Sequence, residues 1–189
     1  FGGGGGGTGS VLSFTKNSLN SGYFAMASKL DICDINKVAD RMGVTLANGG
    51  KVTDENVPFD VLGPKNISPL AMANAYATVA SGGTYCTPRA IDRVVGPDGQ
   101  ERELPASSCT EGVISPEVAA TAAFALQSVM GGGGTGSRAN TNDGTPLIGK
   151  TGTHDTWSTM MIESSTKVAT AVWAGRWQGQ ENIYRKRAN

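Results

Sequence analysis

The sequence predicts an α+β domain in which helices pack on an antiparallel sheet. All the helix patterns lie in the chain up to Met130, whereas three consecutive strand patterns follow between Leu147 and Trp173. Only a short turn over Glu163–Thr166 separates the last two strands, which favours antiparallel pairing. Helices followed by consecutive strands are typical of the α+β class.

Two of the helices have clear start and stop signals. Ser68-Pro69 and Ser115-Pro116 each provide an N-cap residue followed by proline at the first helical position. Glycine follows both patterns, as expected at a helix end. Both helices are rich in alanine and apolar on most sides, so we expect them to be deeply buried. Together with two weaker patterns, the predicted helices are Ser21–Lys29, Ile35–Met42, Leu70–Val79 and Val118–Met130.

Between the two clear helices, the chain is expected to fold back on itself. Tyr85–Val95 and Gln100–Leu104 are predicted to be extended, with a turn over Gly96–Gly99 between them. This turn lies midway between Cys86 and Cys109, and cross-strand neighbours lie at a distance that suits a disulfide. We predict that these two cysteines are bonded, with two unpaired buried thiols as the alternative. The three final strands are predicted over Leu147–Thr153, Thr156–Ser164 and Lys167–Trp173.

Composition excludes some functional classes. The 189 residues contain 16 Lys and Arg against 16 Asp and Glu, so the chain lacks the basic balance typical of nucleic-acid binding. No apolar run reaches the roughly 18–20 residues of a membrane span, and no signal peptide is recognisable. Any anchor is therefore expected outside this segment.

Residues 1–10 are interpreted as a glycine-rich linker or truncated start. The run Gly131–Gly134 is either linker-like or engineered, or a natural loop.

Lys150-Thr151-Gly152-Thr153 is the strongest chemical signal. Side chains alternate along a strand, so Lys150 and Gly152 are expected on one face and the two threonines on the other. Gly152 would let a ligand backbone lie close to the strand. A cation, two hydroxyls and a glycine suit the anionic end of an extended peptide. An ordinary surface strand is the alternative for these four residues considered alone.

A second motif, Ser18-Leu19-Asn20, precedes Lys150 by 132 residues. Order and spacing match the Ser-x-Asn and Lys-Thr-Gly motifs of serine transpeptidases and β-lactamases. Five further stretches resemble the class A, bifunctional penicillin-binding proteins: 17–24, 67–78, 80–85, 149–153 and 170–175. The resemblance covers nearly the whole chain apart from the glycine runs and the last dozen residues. Residues 11–189 are thus expected to form the C-terminal part of such a transpeptidase domain, with an incomplete β-lactamase-like fold.

The resemblance implies a peptidoglycan D,D-transpeptidase that β-lactams acylate, located in the cell envelope on the extracytoplasmic face of the membrane. Ser18 would relay a proton, Asn20 would bind the donor amide, and Lys150 would bind Ser18 and supply positive potential. Thr151 and Thr153 would bind the terminal carboxylate, and the Thr153 N–H would form half of an oxyanion hole. No cofactor is implied. The expected partners are stem peptides, β-lactams, a membrane anchor with a glycosyltransferase domain, and the preceding segment of the same domain.

The nucleophilic Ser-x-x-Lys of the family is expected before residue 1, so this chain alone should be inactive. Ser13-Phe14-Thr15-Lys16 fits that pattern but ends too close to Ser18 to converge on it from a separate element. Alternatives to the transpeptidase are a D,D-carboxypeptidase, a β-lactamase-type hydrolase and a non-catalytic cell-wall-binding module.

Two other types of site are considered and rejected. Gly144–Thr151 fits the phosphate-loop pattern, but a polar loop precedes it and no helix pattern follows, so a nucleotide-binding protein is rejected. The one histidine and three cysteines lack metal-ligand spacing, so no metal is expected. Trp157, Trp173 and Trp177 are interpreted as core or rim aromatics.

Overall fold

A computed structural model describes residues 7–63, 65–176 and 178–185. It confirms the α+β class, with helices in the first part and a three-stranded antiparallel sheet in the last. Residues 1–6 of the predicted linker, and Trp177, lie outside the described residues. The α-helices in chain order are α1 Val11–Lys16, α2 Asn20–Ala27, α3 Ile32–Arg41, α4 Pro69–Ala80 and α5 Pro116–Met130.

Side-chain caps explain where three of the helices begin, whereas α2 and α4 have no side-chain cap. The side chains of Ser10, Asp31 and Ser115 each accept a hydrogen bond from a backbone N–H in the first turn of α1, α3 and α5. Helix α3 therefore starts three residues earlier than predicted, because Asp31 caps it. The six-residue α1 was not predicted, since its apolar pattern is too short to be recognised.

The main sheet contains three strands, β5 Ile148–His154, β6 Ser158–Ser164 and β7 Ala169–Gly175. Their order is β5–β6–β7, with every neighbouring pair antiparallel. Lys150 on β5 pairs with Ile162 on β6, which pairs with Ala171 on β7. Helix α5 packs on β5, and α4 packs on β6 and β7. Val129 and Met130, at the end of α5, are almost fully buried.

The predicted long hairpin is instead two short strand pairs. β1 Tyr85–Cys86 pairs with β4 Cys109–Thr110, and β2 Val94–Val95 pairs with β3 Glu101–Arg102. Pro88 and Pro105, which lack the N–H that a ladder requires, lie between the two pairs. Cys86 and Cys109 are direct partners in the β1–β4 register and are joined by a disulfide.

The alanine-rich helices are less buried than predicted. Leu70 on α4 and Val118 and Phe124 on α5 are 64%, 55% and 63% exposed, respectively. Burial is confined to one face of each helix, as Ala71, Ala75 and Thr78 illustrate for α4. Among the described residues, no helix combines the length and apolar character needed to cross a membrane.

The segment between α3 and α4 is held by a buried ion pair. Lys65 Nζ donates to Asp60 Oδ2 at 3.0 Å and to the carbonyl oxygens of Val52 and Glu55. Asn36 on α3 also donates to Asp60 Oδ2, at 2.7 Å. The Asp60 and Lys65 side chains are only 3% and 16% exposed. This cluster ties the two short 3-10 turns Val52–Asp54 and Pro58–Leu62 to α3.

Candidate active site

Ser18 lies at a sharp break between α1 and α2. Its φ of 54° is in the left-handed region, which residues other than glycine seldom adopt. The Ser18 and Leu19 N–H groups donate to the carbonyl oxygens of Thr15 and Phe14, so the break is hydrogen-bonded on the α1 side. This conformation ends one helix and starts the next within three residues, and it directs the Ser18 hydroxyl toward β5.

Lys150 and Ser18 meet across 132 residues of sequence. Lys150 Nζ donates to Ser18 Oγ at 2.5 Å and to the Thr151 carbonyl oxygen at 2.9 Å. Both partners are neutral, and no carboxylate of the described residues forms an ion pair with this ammonium. Burial lowers the pKa of Lys150 from its ordinary value of 10.5, because a partly buried ammonium is poorly hydrated. The site thus holds a partly buried cation without a fixed counter-ion.

Asn20 is the first residue of α2 and lies two positions from Ser18. Its side chain is half-buried and makes no hydrogen bond with the described residues, so its amide is available to a ligand. The structure brings Lys150 into contact with Ser18 but places no hydrogen bond between Lys150 and Asn20.

The glycines of β5 differ in what surrounds them. A Cβ atom at Gly149 would lie 2.5 Å from the Met130 sulfur, so packing inside the protein requires this glycine. A Cβ atom at Gly152 would meet nothing closer than the Met160 carbonyl oxygen at 4.0 Å. Internal packing therefore does not explain Gly152, whereas close approach of a ligand would. β5 is also an edge strand within the described sheet, so its outer backbone groups are not paired by another strand.

The two threonines of the motif contact hydroxyls on other parts of the chain. Thr151 Oγ1 donates to Thr135 Oγ1 at 2.9 Å, and Thr153 Oγ1 lies 3.3 Å from Thr159 Oγ1. Thr153 is exposed and Thr151 half-buried. Thr135 and Thr159 were not singled out in the sequence.

Thr135 follows the second glycine run, which forms a packed turn and not a flexible linker. Gly134 is buried, and a Cβ atom there would collide with the carbonyl oxygens of Val129 and Ser128. The Gly136 N–H donates to the Val129 carbonyl at 3.0 Å, which returns the chain to the end of α5. Thr-Gly-Ser follows both glycine runs, so the sequence contains no signal specific to a structured turn at the second one.

The rejected motifs have other roles in the structure. Ser13 is exposed on α1. β5 runs straight through Gly149-Lys150-Thr151 to His154, and a turn and β6 follow, so the phosphate-loop arrangement of strand, loop and helix does not form. No three His, Cys, Asp or Glu side chains of the described residues cluster in a way that could hold a metal ion.

Known proteins resemble this chain over most of its length. The family described as the penicillin binding protein transpeptidase domain matches residues 4–180. Penicillin-binding protein 1A of Mycolicibacterium smegmatis is 32% identical over 200 residues, which cover 95% of this chain and 25% of that protein. Penicillin-binding protein 1F of Bacillus subtilis is 33% identical over 153 residues, which cover 74% of this chain and 20% of that protein. The chain thus spans about a quarter or less of the length of these curated relatives.

Solved structures share the fold. The penicillin-binding protein PonA1 of Mycobacterium tuberculosis aligns with a TM-score of 0.80 and 26% identity, over 95% of this chain and 50% of PonA1. Its complex with penicillin V aligns with a TM-score of 0.77 and 25% identity, over 95% of this chain and 51% of PonA1. The family match covers nearly all of the sequence, and the sheet and helices agree with these structures. The chain therefore belongs to the penicillin-binding protein transpeptidase domain family.

Proposed function

We propose that this chain is the motif-bearing C-terminal part of a peptidoglycan D,D-transpeptidase, with the nucleophilic serine outside the segment. The observation that carries the proposal is the 2.5 Å hydrogen bond from Lys150 to Ser18, beside the open edge of β5. In the reaction, a serine attacks the D-Ala-D-Ala amide and releases the terminal D-alanine. An amine of a second stem peptide then attacks the acyl-enzyme ester and frees the serine.

Ser18 and Lys150 are suited to moving a proton to the leaving amine. The Ser18 hydroxyl can give its proton to the departing nitrogen while it accepts a hydrogen bond from Lys150, and Lys150 can then supply a proton to Ser18. The lowered pKa of Lys150 makes that transfer easier than it would be from a fully hydrated lysine. Asn20, whose amide has no partner among the described residues, would bind the amide of the acyl donor.

The edge of β5 would bind the end of the peptide. Gly152 leaves room for the substrate backbone, and the Thr151 and Thr153 side of the motif would bind the terminal carboxylate. The Thr153 N–H would donate to the developing oxyanion, a contribution worth roughly 3–4 kcal/mol in other acyl-transfer enzymes. Lys150 would add positive potential for the carboxylate.

β-Lactams are expected to use the same groove, as the penicillin V complex of the PonA1 relative suggests. The proposed partners of the longer protein are stem peptides, together with a glycosyltransferase domain and a membrane anchor, at the extracytoplasmic face of the membrane. Residues 11–189 would serve as the C-terminal part of the transpeptidase domain, and residues 1–10 as a linker or a truncated start.

Penicillin labelling tests the proposal. Intact mass of this chain after incubation with excess penicillin should show no covalent adduct, whereas the longer protein should be labelled at a serine preceding residue 1. Lys150→Ala in the longer protein should slow labelling strongly with little change in melting temperature. An adduct mapped to Ser13 or Ser18 would overturn the assignment.

The fate of the acyl-enzyme separates the possible reactions. A transpeptidase transfers the acyl group to an added amine, whereas a carboxypeptidase or a β-lactamase releases it to water. A non-catalytic wall-binding module would form no acyl-enzyme at all. Measuring cross-linked and hydrolysed products from a stem-peptide mimic therefore distinguishes these outcomes.

A further inference from the structure

The hydrogen bond between Thr151 and Thr135 has a direction. Thr151 Oγ1 is the donor and Thr135 Oγ1 is the acceptor, at 2.9 Å. A threonine hydroxyl has a single proton, so Thr151 cannot at the same time donate to a carboxylate. Thr135, which accepts this bond, keeps its own proton free, and its side chain is exposed.

We infer that Thr135 supplies the hydroxyl that donates to the terminal carboxylate of the acyl donor, and that Thr151 acts through Thr135 as a positioning residue. This inference rests on the proposed function. A hydroxyl that accepts one hydrogen bond becomes a better donor in the next, so the chain from Thr151 through Thr135 to an anion is cooperative.

The backbone around Thr135 is held firmly enough to fix its hydroxyl. The Thr135 N–H donates to the Lys16 carbonyl at 3.2 Å, which ties the turn to the end of α1. On either side, Gly134 and Gly136 are buried, and any side chain at Gly134 would collide with the end of α5. The turn therefore cannot shift without disturbing α1 or α5, and a fixed donor loses little entropy when a ligand binds.

Two ammonium groups lie close to this hydroxyl pair. Lys150 Nζ donates to the Thr151 carbonyl oxygen. Lys16 Nζ lies against the glycine turn, 3.8 Å from the position that a Cβ atom at Gly133 would take. The Lys16 ammonium forms no ion pair or hydrogen bond with the described residues. Both charges favour an anion at Thr135, and no carboxylate of the described residues forms an ion pair with either.

The test is a titration of the 189-residue chain followed by amide resonances in NMR. The probe is an N-acetylated tripeptide ending in Lys-D-Ala-D-Ala, either as the free acid or as the C-terminal amide. Thr135→Val should raise the dissociation constant of the free acid about tenfold, the usual scale for one hydrogen bond to a charged group. Thr151→Val should raise it less, and Thr135→Ser should stay within about twofold of wild type.

Controls separate a lost hydroxyl from a disturbed fold. Thr121→Val makes the same change at an exposed position of α5 and should leave the titration unchanged. The amide probe should bind wild type and Thr135→Val equally, because it lacks the carboxylate. Thr135→Ala provides a second side chain without a hydroxyl, and the spectra report whether either substitution alters the glycine turn.

The possible results are distinguishable. If Thr135→Val binds the free acid as wild type does while the β5 resonances still respond, the inference is overturned and the proposed function stands. Equal weakening by Thr135→Ser and Thr135→Val would also overturn it, because the hydroxyl would then not be responsible. If the free acid and the amide bind wild type alike, or neither binds, both the inference and the carboxylate recognition in the proposed function are lost.

Discussion

Lys65 and Lys150 are both partly buried, yet their surroundings differ. Lys65 donates to a carboxylate and two carbonyl oxygens, and its side chain is 16% exposed. Lys150 donates to one hydroxyl and one carbonyl oxygen and has no carboxylate partner among the described residues. Lys65 holds together a segment between two helices, whereas Lys150 faces the open edge of a strand.

The difference separates a structural lysine from a functional one. A buried charge that supports the fold is matched by an opposite charge, because desolvation would otherwise exceed the gain. A charge that must serve a ligand cannot be matched in this way, since the ligand would have to displace the partner. Neutral partners orient the Lys150 ammonium without neutralising it, and burial lowers the pKa of this group.

The largest expected effect is on the structural lysine. Lys65→Met leaves the Asp60 carboxylate, only 3% exposed, without its cation, and should lower the free energy of unfolding by about 3–5 kcal/mol. Urea denaturation measures this loss. Lys37→Met is the matched control, because the Lys37–Asp34 pair is exposed, and it should have little effect. If Lys65→Met and Lys37→Met were equally stable, Lys65 would not be a structural lysine in the sense proposed.

Acid should weaken the same cluster. Burial raises the pKa of Asp60, but hydrogen bonds from Asn36, the Val57 N–H and Lys65 outweigh it and place the pKa below its ordinary 3.8. A carboxyl with a lowered pKa stabilises the fold above its unfolded-state pKa and loses that contribution as pH falls through the folded-state pKa. At pH values below about 4, the melting temperature of the wild type should therefore decrease as the pH falls. The melting temperature of Asp60→Asn should decrease less steeply. Parallel curves for both proteins would contradict this assignment.

Two substitutions of Ser18, the hydroxyl partner of Lys150, separate the role of the hydroxyl from the role of the backbone conformation. Ser18→Ala and Ser18→Gly both remove the hydroxyl that Lys150 contacts, so both should slow labelling of the longer protein by penicillin. Glycine adopts the Ser18 φ of 54° without strain, so Ser18→Gly should be more stable than Ser18→Ala by about 1 kcal/mol. Thermal unfolding of the pair gives the difference. A more stable alanine variant would argue against the left-handed backbone.

Replacing Lys150 itself should change stability least. Lys150→Met removes a partly buried cation that has no counter-ion among the described residues, so the free energy of unfolding should stay within about 1 kcal/mol of wild type. A lysine whose folded-state pKa is lowered opposes folding while it is charged. Wild type should therefore gain stability relative to Lys150→Met as pH rises from the folded-state pKa toward 10.5. Unfolding midpoints measured between neutral and alkaline pH provide the test.

Much of the fold could be predicted because its signals are local. Ser-Pro pairs mark the starts of α4 and α5, and three consecutive strand patterns indicate β5, β6 and β7. The short α1 escaped prediction, since six residues contain less than two helical turns of pattern. Exposure of Leu70 and Phe124 was also missed, because composition indicates that a helix is apolar but not which face is covered.

The candidate site was predictable only where a motif is contiguous. Ser18 and Lys150 were found because each belongs to a short pattern of known order. Thr135 was missed because its role depends on a turn of glycines, which have no side-chain pattern to indicate a conformation. The Lys65 cluster was missed for a related reason: Asn36, Asp60 and Lys65 are scattered along the chain and meet only after folding.

The disulfide between Cys86 and Cys109 also determines how the chain would respond to a protease. The residues between them are largely exposed and form only the short β2–β3 pair, so this excursion is an accessible place for a cut. A single cut there would add the mass of one water but release no fragment, because the disulfide still joins the two pieces. The cleaved chain would migrate as one species until a reductant separates it into two.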